Sequence, residues 1–431
     1  MENWTVSAGG AIRGEVEVPG DKSVSHRAVM LGALADGITH VEGFLEGEDT
    51  RATAAIFSRM GVEIETPSDS QRIVHGVGLH GLRTPDGPLD CGNAGTGMRL
   101  LAGLLAGQRF DSVLVGDQSL SRRPMRRVVE PLSKMGARIE SGAGGLPPLR
   151  ISGGSTLAGI DYTPEIASAQ VKSALLLAGM YARGDTVVRE PHPTRDYTER
   201  MLRTFGAQIE FSPGFVRLRG GQRLHATAIR VPADFSSAAF FIVAATVIPG
   251  SHLRMRAVGL NPRRTGLLAA LRAMGANILE ENLGEQGGEA VADLVVRHAT
   301  LQGIEVPEGI VPDMIDEFPA LMVAAACARG ATVIRGAGEL RVKESDRLAA
   351  MSTGLRALGI RVDETADGAT IHGGRIGAGH VESLGDHRIA MAFAVAAQRA
   401  AGPVRIIDTS NVATSFPDFV ALAQRVGFGG F

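Results

Sequence analysis

The chain has 431 residues, enough for two or three domains. Hydrophobic residues make up 44% and charged residues 21%, the balance of a soluble globular protein. Lys+Arg 44 against Asp+Glu 46 leaves a net charge of −2, which argues against nucleic acid as the main partner but leaves room for a local basic pocket. Glycine is abundant, 56 of 431 residues, with no low-complexity tract to hold it, so it punctuates many short elements. Two cysteines, Cys91 and Cys327, offer neither a disulfide framework nor a CxxC metal pattern. The start, MENWTVSAGG, lacks a basic, apolar leader pattern. The longest apolar run, Ala238–Ile248, has 11 residues, well short of the ~20 that span a bilayer. A cytoplasmic protein with no membrane partner is expected.

In chain order, the first clear element is GDKSVSHR (Gly20–Arg27), which runs straight into AVMLGALA and then a strand, ITHVEG. Five more Ala/Leu-rich helices follow, each leading into a strand: LLAGQRFDSVLVG, YARGDTVVRE, VIPGSHLRMRAV, CARGATVIRG and RAAGPVRIID. Out of phase with these runs a second pattern, an amphipathic helix tail, a glycine and an alternating strand. It reads IFSRMGVEIE, PLSKMGARIE, MLRTFGAQIE, ALRAMGANIL, GLRALGIRVD and LAQRVGFGGF. Its glycines (Gly61, Gly136, Gly206, Gly275, Gly359, Gly427) step by 75, 70, 69, 84 and 68 residues and suit left-handed helix C-caps. The Ala-rich helices are apolar nearly all round and must be buried, whereas the others, such as RRVVEPLSKMG, belong outside. One unit of about 70 residues cannot cover such a helix alone, so three units share a core and the chain forms two domains of three units each.

A polar cluster precedes each buried helix: GDKSVSHR, DCGNAGTGMR, EIASAQVKS, PADFSSA, PDMIDEF and GDHRIAM. Helix N-termini carry unpaired N–H groups and partial positive charge, so they favour anions. Buried helices lying side by side gather these termini on one face, and two such faces opposed make a cleft for a small, multiply charged anion. Asp234, Ser236 and Ser237 read first as ordinary caps. Arg99 also lies next to a helix start. Lys22, Arg27 and Arg388 do not read as caps, because a basic residue there opposes the helix dipole, and a ligand would offset that cost. His26 is open between packing, a local hydrogen bond and catalysis. GDKS lacks the first glycine of a P-loop, and no ligand cluster reads as a metal site. In SLSRRPMRRVVEP, Pro124 is expected to open an amphipathic helix, with Arg122 and Arg123 in the preceding loop and Arg126 and Arg127 as a surface patch. LRVKESDRLAAM is expected to open another helix, with Lys343 and Arg347 on one face holding an anion between them. Glu344 is then either a proton donor or acceptor, or an exposed helix-start carboxylate. Asp316 is either a base or an N-cap.

GDKSVSHR, CGNAGTGMR, RRPM, SAQVKSALLLAG, MIDEFPAL, LRVKESDRL and GDHRIAM, in this order and spacing, resemble the 5-enolpyruvylshikimate-3-phosphate synthase family. The match runs from about residue 8 to the C-terminus, and ASAQVKSA, MIDE and ATSFP resemble its class II branch. The resemblance implies an α/β fold of two domains, each of three βαβαββ units around buried parallel helices: the enolpyruvyl transferase fold, an inside-out α/β barrel. Residues 21–232 would form one domain, 1–20 and 233–431 the other, with two hinge crossings near Gly20 and Pro232 and closure over the substrates.

It also implies transfer of the enolpyruvyl group of phosphoenolpyruvate to the 5-hydroxyl of shikimate 3-phosphate, without metal or other cofactor, by an enzyme expected to be a monomer. By similarity, Lys22, Ser23, Arg27, Ser168, Gln170, Arg195, Asp316 and Lys343 would hold shikimate 3-phosphate. Lys22, Gly95, Arg123, Gln170, Arg347 and Arg388 would hold phosphoenolpyruvate. Asp316 would accept the 5-hydroxyl proton, Glu344 would handle protons at the methylene carbon, and Lys22 would join them in catalysis. Ala169 stands where other branches carry a second serine, and Thr414 where the other branch has lysine. Glyphosate occupies the phosphoenolpyruvate site in this family, so a larger residue at Gly95 would crowd it. The alternatives are a UDP-N-acetylglucosamine enolpyruvyl transferase, whose family carries Lys-Asn and a reactive cysteine, and a non-catalytic phospho-metabolite binding protein.

Overall fold

Two kinds of helix alternate along the chain in the computed structural model, which describes residues 2–431. The odd-numbered helices are α1 (Lys22–Leu34), α3 (Gly95–Ala106), α5 (Ala169–Gly179), α7 (Phe235–Val247), α9 (Phe318–Cys327) and α11 (His387–Ala397). They are buried along nearly their whole length, as all-round apolar sequence requires. The even-numbered helices are α2 (Glu48–Arg59), α4 (Arg126–Lys134), α6 (Tyr197–Thr204), α8 (Gly266–Ala273), α10 (Arg347–Ala357) and α12 (Phe419–Val426). These bury one stripe, such as Val128, Pro131 and Leu132 of α4. The glycine after each of them has positive φ, from +84° at Gly359 to +114° at Gly427, where a side chain would be strained.

The chain divides into two compact units. One holds Gly20–Pro232 and Glu285–Glu289; the other holds the chain up to Pro19, Ala233–Gly284 and Ala290–Phe431. Gly20 and Glu285–Glu289 therefore group with residues 21–232 rather than with the terminal stretch.

In the first unit three four-stranded sheets surround the core. In the first of them, Asp36–Glu42 is central, antiparallel to Gln71–Val77 with Asp36 opposite Val77. Its other neighbour is the parallel strand Ala228–Arg230, from the far end of the unit, with Ala228 opposite His40. The second and third sheets centre on Ser112–Val115 and Asp185–Arg189 in the same way. Helices α3 and α5 pack closely because both carry small residues: a Cβ on Gly103 would lie 2.1 Å from the Ala174 carbonyl oxygen. Arg27 on α1 donates to Ser173 Oγ on α5 at 2.9 Å.

In the second unit α7, α9 and α11 all touch one another, and three sheets flank them. His252–Gly259 pairs in parallel with Arg13–Val16, and Val404–Ile407 pairs in parallel with Gly379–Glu382. The middle sheet has three strands, Ala331–Ile334, Ala369–His372 and Val362–Glu364, and isolated bridges (Gln302 to Arg329, Glu305 to Val333) stand where a fourth strand would begin.

Three expectations need correction. LAQRVGFGGF forms α12 but no strand; the glycine-rich tail lies along residues 7–10, with Ser7 N donating to Gly430 O. The edge it would have filled is taken by Trp4–Val6, antiparallel to Val404–Ile406, and Trp4 stacks on Phe419 at 5.8 Å. Helix α4 opens at Arg126 rather than Pro124, because Leu120–Arg122 forms a 3-10 turn first. Helix α10 opens at Arg347, with Asp346 as its cap, so Lys343 and Glu344 precede it and share no helical face with Arg347.

The α3–α5 contact leaves no room for a methyl group. Gly103→Ala should cost about 1–3 kcal/mol through overpacking and lower Tm accordingly, whereas Gly10→Ala, which meets nothing within 4 Å, should leave Tm nearly unchanged. Equal Tm shifts in a thermal melt would contradict this packing.

Candidate active site

Side-chain bonds show that the buried helices of the first unit start at the same end. Gln170, at the start of α5, donates from Nε2 to Thr96 Oγ1 of α3 at 2.9 Å and accepts from Arg99 Nη1 at 2.8 Å. Asp21 caps α1 by accepting from Val24 N at 2.9 Å, and Ser168 caps α5 by accepting from Val171 N at 3.4 Å. Lys22, Ser23, Arg27, Gly95, Arg123, Ser168, Gln170 and Arg195 all lie in this unit.

Near the helix starts, neutral groups accept hydrogen bonds from Arg27 and Arg123. Arg27 is buried and donates to Thr198 Oγ1 at 2.7 Å, Ser23 O at 2.8 Å and Ser173 Oγ. Arg123 donates to Asn93 Oδ1 at 2.6 Å and Ser119 Oγ at 3.1 Å. Hydroxyl and amide oxygens orient these guanidinium groups. Burial pulls Arg27 down to about 10, opposed by Glu199 and Asp21, and Arg195 repels it further. Lys22 differs, since its Nζ is 2.8 Å from Asp49 Oδ2. A Cβ on Gly95 would lie 3.0 Å from Arg123 Nη1 and 3.2 Å from Arg99 Nη1, so this glycine lets two guanidinium tips converge.

Sequence reasoning missed the support behind Arg27. Lys172, in the first turn of α5, has its Nζ 2.8 Å from both Glu190 Oε2 and Glu199 Oε1. Burial opposes its charge, but the two carboxylates outweigh burial and hold the ammonium above the usual lysine range. A charged residue inside SAQVKSALLLAG was the available signal.

In the second unit the starts of α7, α9 and α11 also meet. Ser236 Oγ donates to the Glu317 carboxylate and accepts from Arg264. Arg388 Nη1 donates to Asp316 O at 3.1 Å. Asp234 is a cap, accepting from Ser236 N and Ser237 N at 3.3 and 3.0 Å. Here arginine meets carboxylates. Arg347, 1% exposed, has Nε 2.8 Å from Asp386 Oδ2, Nη2 2.5 Å from Glu344 Oε2 and Nη1 3.4 Å from Asp316 Oδ1. Burial opposes the Arg347 charge, and Asp386, Glu344 and Asp316 together more than offset it. Asp386 is fully buried and also caps α11 through Arg388 N at 2.9 Å. Lys343 Nζ is 3.5 Å from Glu339 Oε1, and burial draws its ammonium below the usual lysine value. Glu317, not anticipated, is 2% exposed; burial pushes its carboxyl up against the pull of Arg264 and Arg388.

Asp316 and Glu344 thus flank one guanidinium, and neither caps a helix through a side-chain bond. Cys91 is 1% exposed, and burial raises its thiol far above a reactive range. Ligand atoms of Glu63, Glu65 and His75 lie within 4.8 Å of one another, on strands outside both helix-start clusters. No helix among the described residues is long and apolar enough to cross a membrane.

Comparison with known proteins decides the family. The sequence model of EPSP synthase (3-phosphoshikimate 1-carboxyvinyltransferase) matches residues 6–422. The chain belongs to the EPSP synthase family. It is 71% identical over 428 residues to the curated 3-phosphoshikimate 1-carboxyvinyltransferase of Xanthomonas campestris pv. campestris (strain 8004), covering 99% of this chain and 98% of that protein. A solved EPSP synthase from Acinetobacter baumannii superposes with TM-score 0.90 at 51% identity, over 100% of this chain and 99% of that one. The enolpyruvyl transferase NikO from Streptomyces tendae shares the fold, with TM-score 0.80 at 18% identity over 98% and 97% of the two chains. The α/β enolpyruvyl transferase fold expected from the motifs is therefore the fold of this chain.

His26 is fully buried. Its Nδ1 lies 2.8 Å from Thr53 Oγ1, and burial, then Lys22 and Arg27, lower its pKa from 6.5 to about 3. The folded state resists protonation that the unfolded chain accepts, so this contribution to stability is present above pH 6.5 and lost as pH falls, by up to about 1.4 kcal/mol per pH unit. In thermal melts, any stability advantage of wild type over His26→Gln should shrink between pH 7 and pH 5. A constant difference would contradict a buried neutral imidazole.

Proposed function

We propose that this chain transfers the enolpyruvyl group of phosphoenolpyruvate to the 5-hydroxyl of shikimate 3-phosphate and releases phosphate. Family membership supports the reaction. The observation that carries the residue assignment is a contrast: neutral groups accept the hydrogen bonds of the buried Arg27 in one unit, and carboxylates share the buried Arg347 in the other. The first arrangement suits binding of multiply charged anions. The second suits proton transfer next to a developing charge.

In the addition step Asp316 takes the proton of the 5-hydroxyl as its oxygen bonds to C2 of phosphoenolpyruvate, and Glu344 delivers a proton to the methylene carbon. In the elimination step the C2–phosphate bond breaks, phosphate leaves with the bonding pair, and Glu344 takes a proton back from the methyl carbon. Lys22, Ser23, Arg27, Ser168, Gln170, Arg195 and Lys343 hold shikimate 3-phosphate. Lys22, Gln170, Arg123, Arg347 and Arg388 hold phosphoenolpyruvate, with Gly95 giving it room. Lys22 serves both substrates and stabilises charge during transfer. The protein works as a cytoplasmic monomer on this reading.

Purified protein should release phosphate from phosphoenolpyruvate with shikimate 3-phosphate and not with UDP-N-acetylglucosamine. Asp316→Asn should lower kcat by about 10²-fold or more, as for loss of a general base, while leaving much of the substrate affinity. Release only with the sugar nucleotide would overturn the acceptor. Binding without turnover would favour a non-catalytic protein.

A further inference from the structure

Arg27 belongs to a helix, but Arg195 sits in the short segment between the strand Asp185–Arg189 and α6, where Pro191 and Pro193 preclude a regular ladder. Such a segment needs an anchor. The anchor is on either side of Arg195. Thr194 donates from N to Glu190 Oε2 at 3.2 Å and from Oγ1 to the same carboxylate. Its carbonyl accepts from Lys172 Nζ at 3.4 Å. Asp196 pairs with Arg200 at 2.8 Å. Lys172 then joins Glu190, before the turn, to Glu199, after it, and all three side chains are at most 5% exposed. Next to Glu199, Thr198 Oγ1 accepts from Arg27 Nε and donates to Ser173 Oγ, one residue from Lys172 on α5.

We propose that Lys172 is a positioning residue: its buried ammonium clamps segment 190–199 so that Arg195 is held in place for a phosphate group. The assignment rests on the proposed reaction, in which that group is the 3-phosphate of the acceptor. Lys172 touches no substrate. Without it, Glu190 and Glu199 lose their shared counter-ion, the turn relaxes, and Arg195 loses its place. Recognition of the phosphate suffers, while the groups that handle protons lie in the other unit and keep their arrangement.

The test compares shikimate 3-phosphate with shikimate, which lacks the phosphate, as acceptors for the full-length wild type, Lys172→Met and Lys172→Met/Glu199→Gln. The double variant removes one charge of each sign and carries the test should the single variant fail to fold. Both variants should raise KM for shikimate 3-phosphate by about tenfold or more, with kcat and KM for phosphoenolpyruvate within about threefold of wild type. The preference in kcat/KM for the phosphorylated acceptor should fall by about the same tenfold. A merely structural role would depress both acceptors equally, and a folded double variant with the wild-type preference would overturn the proposal. A wild type inactive with shikimate 3-phosphate would instead overturn the proposed reaction.

Discussion

A helix with no polar face has to be covered on every side, and the chain meets that constraint twice. Three Ala-rich helices share each core, with sheets closing the outside, and small residues let α3 and α5 approach until a Gly103 methyl would strike backbone. Hydrogen bonds between first-turn residues show that helices sharing a core also share an end. Six helix N-termini are thereby gathered into two clusters, one per unit. The polar segments GDKSVSHR, GNAGTGMR and GDHRIAM sit at these ends, where helix N-termini offer N–H groups beside an apolar core.

The clusters handle charge in opposite ways. Serine, threonine and asparagine groups orient Arg27 and Arg123. Asp386, Glu344 and Asp316 surround Arg347, and Ser236 links Glu317 to Arg264. On the proposed reading, the first arrangement binds and the second moves protons. Buried carboxylates near arginines are costly to remove singly, since the remaining charge loses its partner. The second cluster is accordingly the less tolerant of substitution.

Much of this was legible in the sequence because it rests on periodicity and punctuation. Six repeats, six glycine C-caps and the cap role of Asp234 follow from spacing alone. Lys22, Arg27 and Arg388 stood out because their charge has the wrong sign for a helix start. What escaped depends on neighbours distant in sequence. Glu317 and Arg264 meet through Ser236, and Lys172 meets Glu190 and Glu199, none of which share a local pattern. The starts of α4 and α10 were misplaced because 3-10 turns take up residues that look helical. The last strand was misplaced because the N-terminal Trp4–Val6 fills that edge, a pairing no local signal reveals.

The central claim is that neutral groups accept the hydrogen bonds of Arg27 and that its charge serves to bind an anion. Titration calorimetry of shikimate 3-phosphate into the protein, without phosphoenolpyruvate, tests it most directly. The account predicts binding that weakens as salt rises, and a loss of about tenfold to a hundredfold in Arg27→Gln, as for a charged hydrogen bond. Equal affinity in the folded variant, or no dependence on salt, would contradict it.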